Sequence, residues 1–91
     1  MKHVGPAELD KLEPFLAQIR KLPGLKEKTR GNFYRGSRAF LHFHEHGGEF
    51  YADVRLAEDF ERFPATRRLE RTDLMKRMRF VLTDGTPRRD R

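Results

Sequence analysis

The middle of the chain alternates apolar and polar residues in the manner of β-strands. Two glycine-containing turns, Gly36-Ser37 and Gly47-Gly48, interrupt the alternation and are typical of two-residue hairpin loops. The pattern predicts three strands, at about 31–35, 38–46 and 49–56, in an antiparallel meander. Because successive side chains on a strand point to opposite faces, the two turns also predict which residues of neighbouring strands lie opposite each other.

Counting outward from the Gly47-Gly48 turn gives the register of the second hairpin. It predicts six opposed pairs: His46 with Glu49, Glu45 with Phe50, His44 with Tyr51, Phe43 with Ala52, His42 with Asp53, and Leu41 with Val54. One face of this hairpin is then apolar and suits a protein core, whereas the other carries three histidines and several charged groups. The same counting from Gly36-Ser37 pairs Phe33 with Phe40 and puts both rings on the histidine-bearing face.

Helical periodicity flanks the strands on both sides. Apolar residues recur at helical spacing from Pro6 to Leu22, and the proline and glycine that follow are typical of a helix end. Pro14 lies inside this segment and predicts either a kink or a division into two pieces.

The C-terminal third also favours helix. The segment from Ala57 to Phe63 is interpreted as a short helical turn that points Phe60 and Phe63 inward and stops before the next proline. Thr72 can cap a helix whose apolar stripe comprises Leu74, Met75, Met78, Val81 and Leu82. A fourth strand over 78–82 is the alternative, and we expect the helix.

These elements predict an α+β fold, in which a three-stranded antiparallel β-meander carries about three helices on one face as a two-layer sandwich. A length of 91 residues fits one domain. We assign that domain to residues 1–86 and expect residues 87–91 to form a basic, flexible tail. A sheet with an exposed face and two edges also makes a homodimer an alternative.

Composition narrows the classes of protein and partner. The absence of cysteine excludes disulfides, thiolate metal sites and cysteine nucleophiles. No apolar run approaches the roughly 20 residues of a membrane span, so we expect a cytoplasmic protein without a membrane partner. The formal net charge is +6, and arginine supplies 14 of the 20 basic residues, which favours an anionic partner.

The segment His42-Phe43-His44-Glu45-His46 is the sharpest candidate for chemistry. Strand alternation puts its three histidines on one face, with two carboxylates across the hairpin. Imidazole and carboxylate groups are ligands for several divalent metals. The candidate metal ligands are His42, His44, His46, Glu49 and Asp53. The spacing of Gly36, His42, His44 and Glu49 resembles the first metal-binding motif of cupins, although that motif's later glycine is replaced by Leu56. No other cofactor is expected.

The same outer face is the candidate ligand-binding surface. It comprises Phe33, Arg35, Arg38, Phe40, His42, His44, Tyr51, Asp53 and Arg55. The two phenylalanines are expected to anchor apolar groups, and the arginines to contact anions. Residues 39–43 resemble the latter half of the sheet motif of RNA-recognition-motif domains, in which exposed aromatic rings stack on bases. This resemblance implies single-stranded nucleic acid as an alternative ligand, although Arg38 replaces the motif's earlier aromatic residue.

A longer stretch resembles a set of short uncharacterised bacterial proteins. It runs from Phe33 to Glu45 in the pattern F-Y-R-x-S-R-A-F-L-H-F-H-E and follows a helix that ends in Leu-Pro-Gly. The resemblance implies a bacterial, stand-alone cytosolic protein and brings no known activity. Ser37 is the only serine and sits in a turn, so a nucleophilic enzyme is not favoured. We therefore expect a non-enzymatic binding or interaction module, with a metal-binding protein and a single-stranded nucleic-acid binder as alternatives.

Overall fold

The structure is a computed structural model that describes the backbone of residues 2–83 and the side chains of residues 4–83. The elements in chain order are β1 (Lys2–His3), α1 (Pro6–Ile19), β2 (Lys26–Thr29), β3 (Asn32–Arg35), β4 (Arg38–His46), β5 (Glu49–Val54), β6 (Glu61–Pro64) and α2 (Arg68–Thr83). The predicted α+β class and antiparallel sheet are confirmed. The predicted tail, residues 87–91, lies outside the described residues.

The prediction of a three-stranded sheet is wrong, because further strands extend it on both sides. Strands β2, β3, β4, β5 and β6 follow one another in an antiparallel path, and β1 pairs with β4 beside it. Both β2 and β6 lie at the ends of this path. Edge strands are short and tolerate charged residues and proline, so they carry little of the apolar alternation by which strands are predicted.

The helical turn predicted over Ala57–Phe63 is wrong: residues 57–60 are irregular, and strand β6 begins at Glu61. Its residues pair with β5 from Val54 opposite Glu61 to Tyr51 opposite Pro64. Phe63 packs against the core as expected, but Phe60 does not point inward and remains 37% exposed. The three-residue spacing of the two phenylalanines therefore fits an extended segment as well as it fits a helix.

The helix predicted near the C-terminus is confirmed, and the alternative of a fourth strand over 78–82 is wrong. Helix α2 begins at Arg68, four residues before the expected cap at Thr72. The Glu70 carboxylate accepts hydrogen bonds from the backbone N–H groups of Thr66 (3.0 Å) and Arg67 (2.9 Å). These contacts satisfy donors that the first turn leaves unpaired, so the helix begins earlier.

The core lies between the helices and one face of the sheet. Helix α1 runs through Pro14 without interruption and buries Leu12, Phe15, Leu16 and Ile19. Helix α2 buries Leu74, Met75, Met78 and Val81. The sheet side of the same cluster is formed by Phe33, Phe40, Leu41, Phe43, Phe50, Ala52 and Val54. Burial of each large side chain here contributes about 1.5–3 kcal/mol to the stability of the fold. This face of β4 and β5 therefore packs inward, and the opposite face is the outer one.

All six opposed pairs predicted for the second hairpin are present, from Leu41 opposite Val54 to His46 opposite Glu49. Both glycines of its turn have positive φ, 60° and 81°, as a two-residue hairpin loop requires. This register places the outer-face side chains of β4 and β5 next to each other.

Candidate functional site

Two histidines and one aspartate converge on the outer face of the sheet. His42 and His44 are two residues apart on β4, and Asp53 lies directly opposite His42 on β5. The Nε2 atoms of His42 and His44 are 3.3 Å and 3.0 Å from the same oxygen, Asp53 Oδ2. Their ring centroids are 5.1 Å apart in an edge-to-face arrangement. The rings therefore lean together and close the roughly 7 Å gap that separates same-face positions along a strand.

Arg62 completes this group, which we call the His–Asp cluster (His42, His44, Asp53 and Arg62). Arg62 stands opposite Asp53 in the ladder between β5 and β6. It donates from Nε to Oδ1 at 2.7 Å and from Nη2 to Oδ2 at 2.8 Å. Sequence reasoning missed Arg62, because it assigned residues 57–63 to a helical turn. If β6 had been predicted as a strand, Arg62 would have been placed opposite Asp53.

The charge state of the cluster follows from these contacts. The bidentate guanidinium of Arg62 holds the pKa of Asp53 below its ordinary value of 3.8, against the opposing effect of burial, and the two nearby histidines act in the same direction as Arg62. Asp53 is thus an ionised carboxylate at neutral pH, although only 8% of the residue is exposed. A buried carboxylate of this kind is stabilised by donors and cations such as Arg62, which offset the cost of its burial.

Phe60 connects the His–Asp cluster to the end of the sheet. Its ring centroid is 4.9 Å from that of His42, and the Arg55 guanidinium carbon lies 4.3 Å from the ring on which it stacks. Arg55 also donates from Nε to the Ala39 carbonyl and from Nη1 to the Glu58 carbonyl, both at 2.9 Å. Phe60 was not among the predicted site residues, because it was expected to point inward.

The remaining predicted metal ligands stand apart from the cluster. The three ligand atoms of His42, His44 and Asp53 lie within 4.8 Å of one another, and neither His46 nor Glu49 belongs to this group. Glu49 instead pairs with Arg67 at 3.0 Å near the start of α2. Tyr51 is half-buried on the outer face, opposite His44.

The predicted exposure of Phe33 and Phe40 is wrong. Phe33 is 1% exposed and Phe40 is 2% exposed, and both belong to the core. The reason is a β-bulge in β4: Tyr34 pairs with Ala39, but Phe33 pairs with Leu41, so Phe40 is an extra residue in the ladder. The bulge turns both Phe40 and Leu41 inward, and no apolar anchor is left at these positions on the outer face.

The three predicted anion-contacting arginines do come together, at the rim of a cleft. Arg35 and Arg38 flank the first hairpin turn and stand opposite each other, and Arg55 follows the end of β5. The cleft measures about 460 Å³. Its remaining lining is formed by Ala39, Phe40, Leu56, Ala57, Glu58 and Val81. We call it the arginine cleft; it combines three cations and one carboxylate with a largely apolar lining.

The two turn arginines differ from Arg55 in their contacts. Arg35 and Arg38 are exposed, and their guanidinium groups make no hydrogen bond or ion pair with any side chain or backbone group of residues 4–83. Arg55 is held by two carbonyls and by Phe60. The cleft therefore has one fixed guanidinium and two adjustable ones.

Comparisons with protein-family models, curated proteins and solved structures found no match to this chain. Neither helix within residues 2–83 is long and apolar enough to cross a membrane. The resemblance to short bacterial proteins and the expected cytoplasmic location stay predictions.

Proposed function

We propose that this protein is a non-enzymatic binding module for a small organic anion, which it holds in the arginine cleft. The observation that carries the proposal is the convergence of Arg35, Arg38 and Arg55 on a cleft with an apolar lining. Guanidinium groups bind carboxylate and phosphate through paired, charge-assisted hydrogen bonds. Ligand sites of this size are mostly apolar and contain a few such polar groups.

The electrostatic repulsion between Arg35 and Arg38 in the free protein also supports anion binding. Arg35 and Arg38 stand directly opposite each other across the hairpin. Like charges in this position destabilise a strand pair by a few tenths of a kcal/mol. A bound anion relieves that repulsion, so the free protein keeps a small electrostatic penalty that the complex does not.

The chemical class of the ligand follows from the lining. The arginines favour a carboxylate or a phosphate, whereas Leu56, Ala57 and Val81 favour an attached ring or chain. Glu58 is the one carboxylate in the cleft, so cationic groups are not favoured beside the three arginines. The nucleic-acid alternative lacks the stacking surface on which it depended, because Phe33 and Phe40 are buried.

Calorimetric titration with phenyl phosphate tests this proposal. We expect saturable binding that weakens with added salt, and weaker binding of both inorganic phosphate and benzyl alcohol. The double variant Arg35→Gln/Arg38→Gln should lose about tenfold or more in affinity, since a factor of ten corresponds to about 1.4 kcal/mol and one charge-assisted hydrogen bond is worth that much.

The matched control is Arg67→Gln/Arg68→Gln, which removes the same formal charge from exposed positions outside the cleft. It should retain the wild-type affinity. Equal loss in the two double variants would reduce the effect to net charge and contradict the proposal. A second readout is stability without ligand, which Arg35→Gln alone should leave unchanged or slightly raise, because it removes the opposed charges.

A further inference from the structure

The His–Asp cluster has the geometry of a metal site. Two imidazole nitrogens and one carboxylate oxygen lie within 4.8 Å of one another. The two nitrogen–oxygen distances are 3.3 Å and 3.0 Å. Four-coordinate zinc with bonds near 2.0–2.1 Å has ligand–ligand separations of about 3.3 Å. The two nitrogen–oxygen separations are therefore already close to those between ligands of a tetrahedral zinc ion.

The chemistry of the ligands agrees with this geometry. Zn²⁺ binds histidine nitrogen and carboxylate oxygen, and three protein ligands leave a fourth position for a small molecule. Arg62 donates two hydrogen bonds to the Asp53 carboxylate and so orients it as an oxygen ligand. The side chain of His44 is 13% exposed and that of His42 is 25% exposed, so the ion would enter from the His42 side.

Arg62 is the group that a metal must displace in part. Its Nη2 donates to Oδ2, the oxygen shared with the histidines, whereas its Nε donates to Oδ1. The Arg62 side chain is 44% exposed and has room to move. Loss of the Nη2 contact frees Oδ2 for the ion, and the Nε contact still orients the carboxylate. Hydrogen bonds of this outer kind are normal for carboxylates that bind metals.

We infer that His42 Nε2, His44 Nε2 and Asp53 Oδ2 together bind one divalent transition-metal ion, with Zn²⁺ as the expected metal. This site lies on the outer face and is separate from the arginine cleft, so it does not depend on the proposed function. A histidine nitrogen binds a metal only when that nitrogen carries no proton, so binding should weaken as the pH falls.

The experiment is calorimetric titration of the full chain with Zn²⁺, after removal of metal with a chelator and without an affinity tag. We expect one equivalent to bind. His42→Ala and His44→Ala should each weaken binding by more than about tenfold, since even loss of an outer hydrogen-bond partner costs a metal site that much. With Co²⁺ in place of Zn²⁺, visible absorption bands should report four or five nitrogen and oxygen ligands.

The matched control is His46→Ala, which removes a histidine from the same face of the same strand but outside the group of three. It should bind Zn²⁺ like the wild type, and His3→Ala is measured beside it to complete the set of four histidines. Circular dichroism melting verifies that each variant is folded. Failure of the wild type to bind Zn²⁺, or equal weakening by His46→Ala and His44→Ala, would overturn the inference.

Discussion

The ion pair between Asp53 and Arg62 makes a quantitative prediction about stability and pH. Asp53→Asn keeps the shape of the side chain but removes its charge, and it leaves the amide to face two histidines and Arg62. Both bonds from Arg62, at 2.7 Å and 2.8 Å, lose their charged acceptor. One of them loses its acceptor altogether, because the amide NH2 group donates and cannot accept. We expect a loss of about 1–2 kcal/mol at pH 7, at the lower end for charge-assisted bonds because Arg62 is partly exposed.

The pH dependence has a definite sign. Because the pKa of Asp53 is lowered in the folded protein, its stabilisation is fully present above the ordinary value of 3.8 and is lost as the pH falls through the folded value. The difference in unfolding free energy between wild type and Asp53→Asn should therefore be constant from pH 5 to pH 7. It should shrink below about pH 4.

Urea denaturation at several pH values, with a chelator present to exclude metal, measures this difference. The control is Glu49→Gln, which removes the other carboxylate of β5 that pairs with an arginine. The Glu49 side chain is 40% exposed and that of Arg67 is 64% exposed, so this pair should contribute at most about 0.5 kcal/mol. An Asp53→Asn variant as stable as wild type at pH 7, or a difference that persists unchanged in acid, would show that the ion pair with Arg62 does not stabilise the fold.

Two further predictions concern the elements that hold the outer face. Phe40→Ala should destabilise the protein by about 3–5 kcal/mol, because the ring is 2% exposed. Phe60→Ala should cost about 1 kcal/mol or less, and equal effects in thermal melts would contradict the bulge. Gly31→Ala combines a φ of 85° with a Cβ only 2.8 Å from Leu9 Cδ2, so it should cost about 1 kcal/mol more than Gly36→Ala, whose Cβ meets nothing within 4 Å. Equal urea midpoints for the two alanine variants would exclude the close contact with α1.

The part of the sheet that was predictable is the hairpin around Gly47-Gly48. Its glycines adopt the positive φ that a two-residue turn needs, and the alternation on both sides continues without a break. The pairing of His42 with Asp53 follows from those two facts alone. The convergence of both histidines on one oxygen could not be predicted in this way. Strand spacing separates their backbones, and only rotation of the rings brings them together.

The errors have different physical causes. Residues 39–41 are all apolar, so the alternation of apolar and polar residues cannot show which of them points inward. The bulge is set instead by tertiary packing of Phe40 into the core. Strand β6 is short and ends in Pro64, as edge strands often do. Its sequence therefore lacks the apolar alternation by which strands are predicted. Arg62 and Phe60 were missed together with it. A homodimer through the outer face stays a prediction, which light scattering on dilute protein tests.

A two-dimensional ¹H–¹⁵N NMR titration with phenyl phosphate shows which residues contact the anion. We expect saturable shifts in the backbone amides of Arg38, Ala39, Arg55 and Leu56, which border the arginine cleft. The amides of His44 and Tyr51, on the outer face away from the cleft, should stay in place. Shifts spread over basic residues throughout the chain, or no shifts at saturating concentrations, would contradict the claim that this cleft binds an organic anion.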